Sequence, residues 1–222
     1  MMNFIEYSDR PTLFRSLAQT IAQELTTSLS ASGYANLAVP GGTTPAPFFE
    51  QLNSVPLAWN NIHVTLTDER LVDENHERSN ARLLKNSLLQ NRASAATFIP
   101  LYTDGHLVSD AVLAAIKPLT VVVLGMGTDG HTASLFPHAD ELIAALDPDN
   151  SALSSIIHAP NVPEPRISLT WSLLSSAQHL HILITGAEKK VVLQQALADL
   201  SEITAMPVRV VLQQAVTVHY AP

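Results

Sequence analysis

Cysteine is absent from the 222-residue chain, which removes a disulfide framework, a thiolate metal site and a cysteine nucleophile together. Charged residues are scarce at 14%, and the positive sign is the scarcer: 12 Lys and Arg stand against 20 Asp and Glu, for a formal net charge of −8. A surface that tracks a phosphate backbone needs a basic excess, so nucleic acid is not an expected partner. No stretch approaches the roughly 18 uninterrupted apolar residues of a membrane helix. The first ten residues carry Glu6 and Asp9 and lack the basic and apolar regions of a signal peptide. A soluble, cytoplasmic protein with no membrane partner is expected. What remains is apolar, at 46% of residues, in a length that suits one large domain with a sizeable core.

The apolar positions Leu13, Phe14, Leu17, Ile21 and Leu25 follow Asp9-Arg10-Pro11 at intervals of three to four, which predicts an amphipathic helix ending near Gly33. Ala35–Val39 reads as a strand that breaks at Pro40-Gly41-Gly42-Thr43-Thr44-Pro45, with Thr44 expected to cap a helix beginning at Pro45. Residues 62–67 read as a second strand, and Ser79 as the cap of a helix over 80–90. A buried strand over 119–124 runs into Gly125-Met126-Gly127; strands at 166–170 and 179–185 and a helix over 187–200 complete the pattern. Strands alternating with helices imply crossover units, hence an α/β fold with a mostly parallel sheet covered on both faces. Pro160, Pro163 and Pro165 crowd one loop, read as a rigid connection within a single domain.

Three strand ends carry unusual loops, and ligands of such sheets bind outside the carboxyl ends of the strands. The glycine loop with Gly41, Gly42, Thr43 and Thr44 turns backbone N–H groups toward an anion such as phosphate; a tight turn that needs glycine explains the same letters. Asp68, Glu69 and Arg70 place two carboxylates and a guanidinium at the next strand end. There Asp68 suits acid or base work and Arg70 suits an anion, unless the three form an ordinary surface cluster.

The third loop, Gly125 to His131, matches G-x-G-x-x-G after a strand, which raises a nicotinamide-dependent oxidoreductase as the rival function. Against it, Asp129 puts an anion where pyrophosphate would lie, Pro137 leaves little helix, and no strand precedes Asp147 and Asp149. His131, two residues after Asp129, suits general-base work: a carboxylate orients an imidazole whose pKa of about 6.5 leaves neutral base at pH 7. A turn stabilised by Asp129, with His131 merely solvated, is the alternative. The nine histidines include no H-E-x-x-H, so no metal site is expected, and His179 and His181 read as one polar face of a strand. Trp59 and Trp171 read as packing. Lys189 and Lys190 begin a helix, where cations oppose the dipole unless an anionic ligand is near.

Taken together, Pro40 to Pro45, Asp68-Glu69-Arg70 with Ser79-Asn80, the stretch LGMGTDGHTASLFP from Leu124 to Pro137, Pro165 to Thr170 and Thr185 to Lys189 resemble the 6-phosphogluconolactonase family in order and spacing over nearly the whole chain. The resemblance implies a Rossmann-like α/β fold, shared with glucosamine-6-phosphate deaminases and ribose-5-phosphate isomerases. It implies cofactor-free hydrolysis of a small sugar-phosphate lactone, 6-phospho-D-glucono-1,5-lactone, in the oxidative pentose phosphate pathway. The deaminases' matching loop carries a Glu that Ala133-Ser134-Leu135-Phe136-Pro137 lacks, and their DEY is DER here, which favours the lactonase. Pro40 replaces the family's usual Ser and His138 its frequent Gly. On this reading His131 is the base, Asp129 its orienter, Asp68 and Arg70 meet the sugar, and the glycine loop, Arg166 and Lys189 hold the phosphate.

Overall fold

A computed structural model describes residues 2–160 and 162–222. In chain order its elements are β1 (Asn3–Glu6), α1 (Arg10–Ser32), β2 (Ala35–Val39), α2 (Ala46–Leu52), β3 (Ile62–Leu66), β4 (Asp68–Arg70), α3 (Asn80–Ser87) and β5 (Thr97–Ile99). There follow β6 (Tyr102–Thr103), β7 (His106–Leu107), α4 (Asp110–Ala114), β8 (Val121–Leu124), α5 (Leu142–Leu146), β9 (Ser154–Ile157) and β10 (Arg166–Leu169). The chain closes with α6 (Trp171–Leu174), β11 (His179–Thr185), α7 (Ala187–Ala198), α8 (Val208–Leu212) and β12 (Val216–Ala221).

Seven strands form one sheet in the order β1-β12-β11-β8-β2-β3-β5, every adjacent pair parallel. Helices flank it, as the alternating pattern predicts, because a parallel sheet with wholly buried strands such as Val121–Leu124 needs cover on both faces. The first helix begins as expected: the Asp9 carboxylate accepts from the Thr12 amide, and Gly33 closes it at φ 81°, a left-handed turn that glycine adopts without strain. Its buried residues Leu13, Phe14, Leu17, Ile21 and Leu25 face the sheet. Trp59 and Trp171 lie in the core.

Several boundaries differ from the sequence reading. The helix after the glycine loop starts at Ala46, with Pro45 before it and no side-chain cap, so Thr44 is not its cap. Ser79 does cap α3, accepting from the Arg82 amide, but that helix stops at Ser87. β10 lies outside the parallel sheet: with β4 and β9 it forms an antiparallel three-stranded sheet. His179 and His181 share a face, but α1 covers it, and His181 is buried against Glu24 at 2.9 Å.

Candidate active site

In the seven-stranded sheet the chain proceeds outward from β2 through β3 to β5 and, on the other side, from β8 through β11 to β12. The reversal therefore lies between β2 and β8, the place where an open α/β sheet parts its loops and leaves a crevice. The loop leaving β2 is the glycine loop, and the loop leaving β8 carries Gly125 to His131. A cavity of about 290 Å³ opens there, lined among others by Gly41, Gly42, Thr44, Asp68, Arg70, Asn80, His131, Arg166 and Lys189. Of the residues singled out from sequence, Thr43 is exposed and Asp129 stands behind His131, so neither is among those lining it.

His131 and Asp129 form the pair their spacing suggests. The ring Nδ1 lies 2.6 Å from Asp129 Oδ1, and the same oxygen accepts from the His131 amide at 3.1 Å. A carboxylate accepts only, so Nδ1 carries the proton and Nε2 is left as the acceptor of the neutral ring. Partial burial alone would raise the Asp129 carboxyl, but the hydrogen bonds and charge of His131 outweigh it and hold the group down to about 2. The ring is fixed from its other face by Phe136, with centroids 4.1 Å apart.

Gly127 makes this arrangement possible. A Cβ there would stand 2.1 Å from His131 Nδ1 and 2.5 Å from Asp129 Oδ1. The glycine that a dinucleotide site would use to admit a pyrophosphate is occupied here by the His–Asp pair. No regular helix follows the loop before α5, so the nicotinamide reading loses its structural context.

The opposite wall is built by β4 and β10. Their antiparallel register sets Asp68 against Ser168, Glu69 against Ile167 and Arg70 against Arg166. Glu69 faces away from the cavity's chemistry: it is buried and accepts from the amides of Arg70, Asn80 and Ala81 at 2.7, 2.8 and 2.6 Å, tying β4 to the start of α3. Arg70 and Arg166 are two guanidiniums in register, and the Nε atoms of both are buried without a hydrogen-bond partner among the described residues. Arg166 lies over Phe136 at 5.1 Å. Burial lowers its affinity for a proton, Asp68 restores part of it, and Arg70 opposes it. Two like charges side by side on the cavity wall suit an anion, which would relieve their mutual repulsion.

Lys189 and Lys190 divide their roles. Lys190 is drawn off to Glu6 at 2.8 Å on the outer surface, whereas Lys189 is half-buried on the cavity wall. Burial depresses Lys189, with Glu188 and Asp129 pulling it back up.

Asn80 is a lining residue the sequence argument did not single out for the site. Its Nδ2 donates to the Asp68 carbonyl at 2.9 Å, and its side chain occupies the space where a Cβ on Gly41 would be, 2.0 Å away. Gly41 is therefore needed for close approach and Gly42, at φ 88°, for its turn. Ser134, wholly buried, donates to Asp68 Oδ2 at 2.6 Å. Its letter carried no signal, because the contact joins residues 66 apart.

Residues 8–220 match the model of the glucosamine-6-phosphate isomerases/6-phosphogluconolactonase family. The chain belongs to that family. A 6-phosphogluconolactonase of Mesorhizobium japonicum is 43% identical over 99% of this chain and 95% of its own length, and one of Pseudomonas putida is 40% identical over 98% and 92%. The crystal structure of a 6-phosphogluconolactonase from Shewanella baltica superposes with a TM-score of 0.93 at 35% identity, covering 100% of this chain and 98% of that one. A monomeric glucosamine-6-phosphate deaminase shares the fold at 16% identity and a TM-score of 0.81, covering 99% and 97%. The Rossmann-like expectation holds within this family, and no helix among the described residues is long and apolar enough to cross a membrane.

Proposed function

We propose that the chain hydrolyses 6-phospho-D-glucono-1,5-lactone to 6-phospho-D-gluconate, the second step of the oxidative pentose phosphate pathway, in the cytoplasm, with His131 as general base. The reaction is the one that names relatives about 40% identical over nearly the full length. The mechanism rests on one observation: the His131 ring, pinned through Nδ1 by Asp129, on the wall of a cavity bearing three cations.

Nε2 takes a proton from water as the oxygen adds to the lactone carbonyl carbon. Asp68 accepts from hydroxyls at the sugar end, and Arg70, on the same wall, meets the charge that gathers on the carbonyl oxygen. Collapse of the tetrahedral species breaks the bond from the former carbonyl carbon to the ring oxygen. That oxygen takes the proton back from the imidazolium, and the new carboxylic acid ionises. Gly41, Gly42, Thr44, Arg166 and Lys189, all on the cavity wall, hold the phosphate, and Thr43, outside it, takes no part. Water is the only co-substrate and no atom changes its oxidation state, so the step calls for no redox cofactor.

The test follows acid release from freshly prepared 6-phosphogluconolactone at constant pH against the spontaneous rate, with NAD(P) titrated in parallel. Enzyme-dependent acid release without nicotinamide binding is expected. A rate equal to the spontaneous one would refute the reading.

A further inference from the structure

Asp68 presents an unsolved problem of its own. It is a carboxylate only 7% exposed, on a wall with Arg70 and Arg166, close enough to Arg166 to raise its proton affinity. Such a group should collapse onto the nearest guanidinium, since a buried charge is costly until it is paired and a carboxylate fits the arginine fork. Yet among the described residues Asp68 forms no ion pair within 4.0 Å, and the Nε atoms of both arginines stay without partners.

What holds it is hydroxyl chemistry. Ser134 Oγ donates to Oδ2 at 2.6 Å and Thr67 Oγ1 to Oδ1 at 3.3 Å. Ser134 is itself fixed, because its amide donates to Ser168 Oγ at 3.2 Å and Ser168 is the register partner of Asp68 across β4 and β10. Neither Ser134 nor Ser168 has any exposed surface. Ser134 therefore cannot meet substrate and acts only through what it holds.

We propose that Ser134 is a positioning residue whose hydroxyl keeps the Asp68 carboxylate from pairing with Arg166, leaving the carboxylate to the sugar and the guanidinium to the phosphate. This deepens the lactonase reading and rests on it for the identity of the substrate. Removing the hydroxyl releases Asp68 to swing onto Arg166. One substitution then disables two groups, the second of them by occupying a guanidinium that the substrate needs.

The experiment combines Ser134→Ala, Asp68→Asn and the double variant, measuring lactone turnover and the affinity for the product 6-phosphogluconate. Ser134→Ala is expected to lower kcat/KM at least about 10-fold, in line with the loss of a hydrogen bond to a charged group, and to weaken product binding several-fold. In the double variant the neutral amide that replaces the carboxylate no longer competes for Arg166, so product affinity is expected to return to within about twofold of Asp68→Asn alone. A purely structural role for Ser134 predicts no such recovery. Product affinity unchanged in Ser134→Ala, or a loss that persists in the double variant, overturns the proposal. Should Ser134→Ala fail to fold, Ser134→Cys replaces it: the thiol fills nearly the same space, donates weakly, and has no other cysteine in the chain to pair with. It is expected to weaken product binding less, again with recovery when combined with Asp68→Asn. Asp68→Asn with full turnover would refute the role given to Asp68 in catalysis, yet leave the binding comparison readable.

Discussion

Acid should destabilise this protein beyond what its carboxylates dictate, through His219 on β12. The ring is fully buried, with Nε2 3.0 Å from His181 Nδ1 and Nδ1 2.9 Å from the Tyr7 hydroxyl. His181 continues to Glu24 at 2.9 Å, whose other oxygen lies 3.4 Å from His179. Burial above all, and then the neighbouring His181, push the His219 imidazole down to about 3. An unfolded histidine titrates at about 6.5. Between those two values the unfolded chain therefore binds a proton that the native chain refuses, so stability is full above about pH 6.5 and falls as the pH drops. At pH 5, about 1.5 pH units below the unfolded value, the cost is about 2 kcal/mol at ~1.36 kcal/mol per pH unit. Urea unfolding at pH 8 and pH 5 measures it. His219→Gln keeps a donor and an acceptor but cannot titrate, so although its absolute stability is lower, its drop between the two pH values should be smaller than the wild-type drop by about 2 kcal/mol. The same pH-dependent drop in both proteins would refute the reasoning.

Catalysis offers further checks. His131→Ala is expected to lower kcat by about 10² to 10⁴ with the fold intact, as for removal of a general base, and a folded variant with wild-type turnover would remove His131 from that role. Asp129→Asn should cost less than His131→Ala, since it disturbs orientation and tautomer and spares the proton acceptor; an equal or larger loss moves the leading role to the carboxylate. Gly127→Ala puts a methyl 2.1 Å from His131 Nδ1, so kcat should fall toward the His131→Ala level, and retained turnover would show that the pair need not sit over Gly127. Unphosphorylated gluconolactone should react at least about 10²-fold less efficiently in kcat/KM, given two charged phosphate contacts at about 1.5 to 3 kcal/mol each less screening. Arg166→Ala and Lys189→Ala should narrow that gap by impairing the phosphorylated substrate alone, whereas equal proportional losses on both lactones would assign these cations to the fold or the reacting centre.

The parallel sheet could be read from letters because most of its strands are short apolar runs ending in glycine or charge, as at Ala35–Val39 and Val121–Leu124. β12 escaped that reading: Thr217, His219 and Tyr220 break the run, and His219 is buried only because His181 and Tyr7 satisfy its nitrogens. The letters DER look like a surface cluster, and nothing local shows that they form a strand paired with Arg166 to Ser168. The His131–Asp129 contact was legible because it is local, two residues apart, and its geometry follows from a short turn. The contacts of Asp68 with Ser134, of Gly41 with Asn80 and of Arg70 with Arg166 are all long-range. They follow from topology, which no local pattern encodes.

The charge balance sharpens what this site must accomplish. On the lactonase reading, a phosphorylated lactone that comes within a Debye length, about 8 to 10 Å at physiological salt, meets a protein with a formal charge of −8, so the net field works against capture. At the cavity wall the sign reverses: Arg70, Arg166 and Lys189 line it against a single carboxylate, Asp68. The half-buried or buried setting of these cations lowers the local dielectric and strengthens each contact once made. It also explains why Asp68 must be held in place. On the proposed reading, a carboxylate free to neutralise Arg166 would remove one of the three cations that line the cavity and weaken the local attraction that offsets the charge of the whole, leaving Arg70 and Lys189 to hold an anionic substrate beside His131.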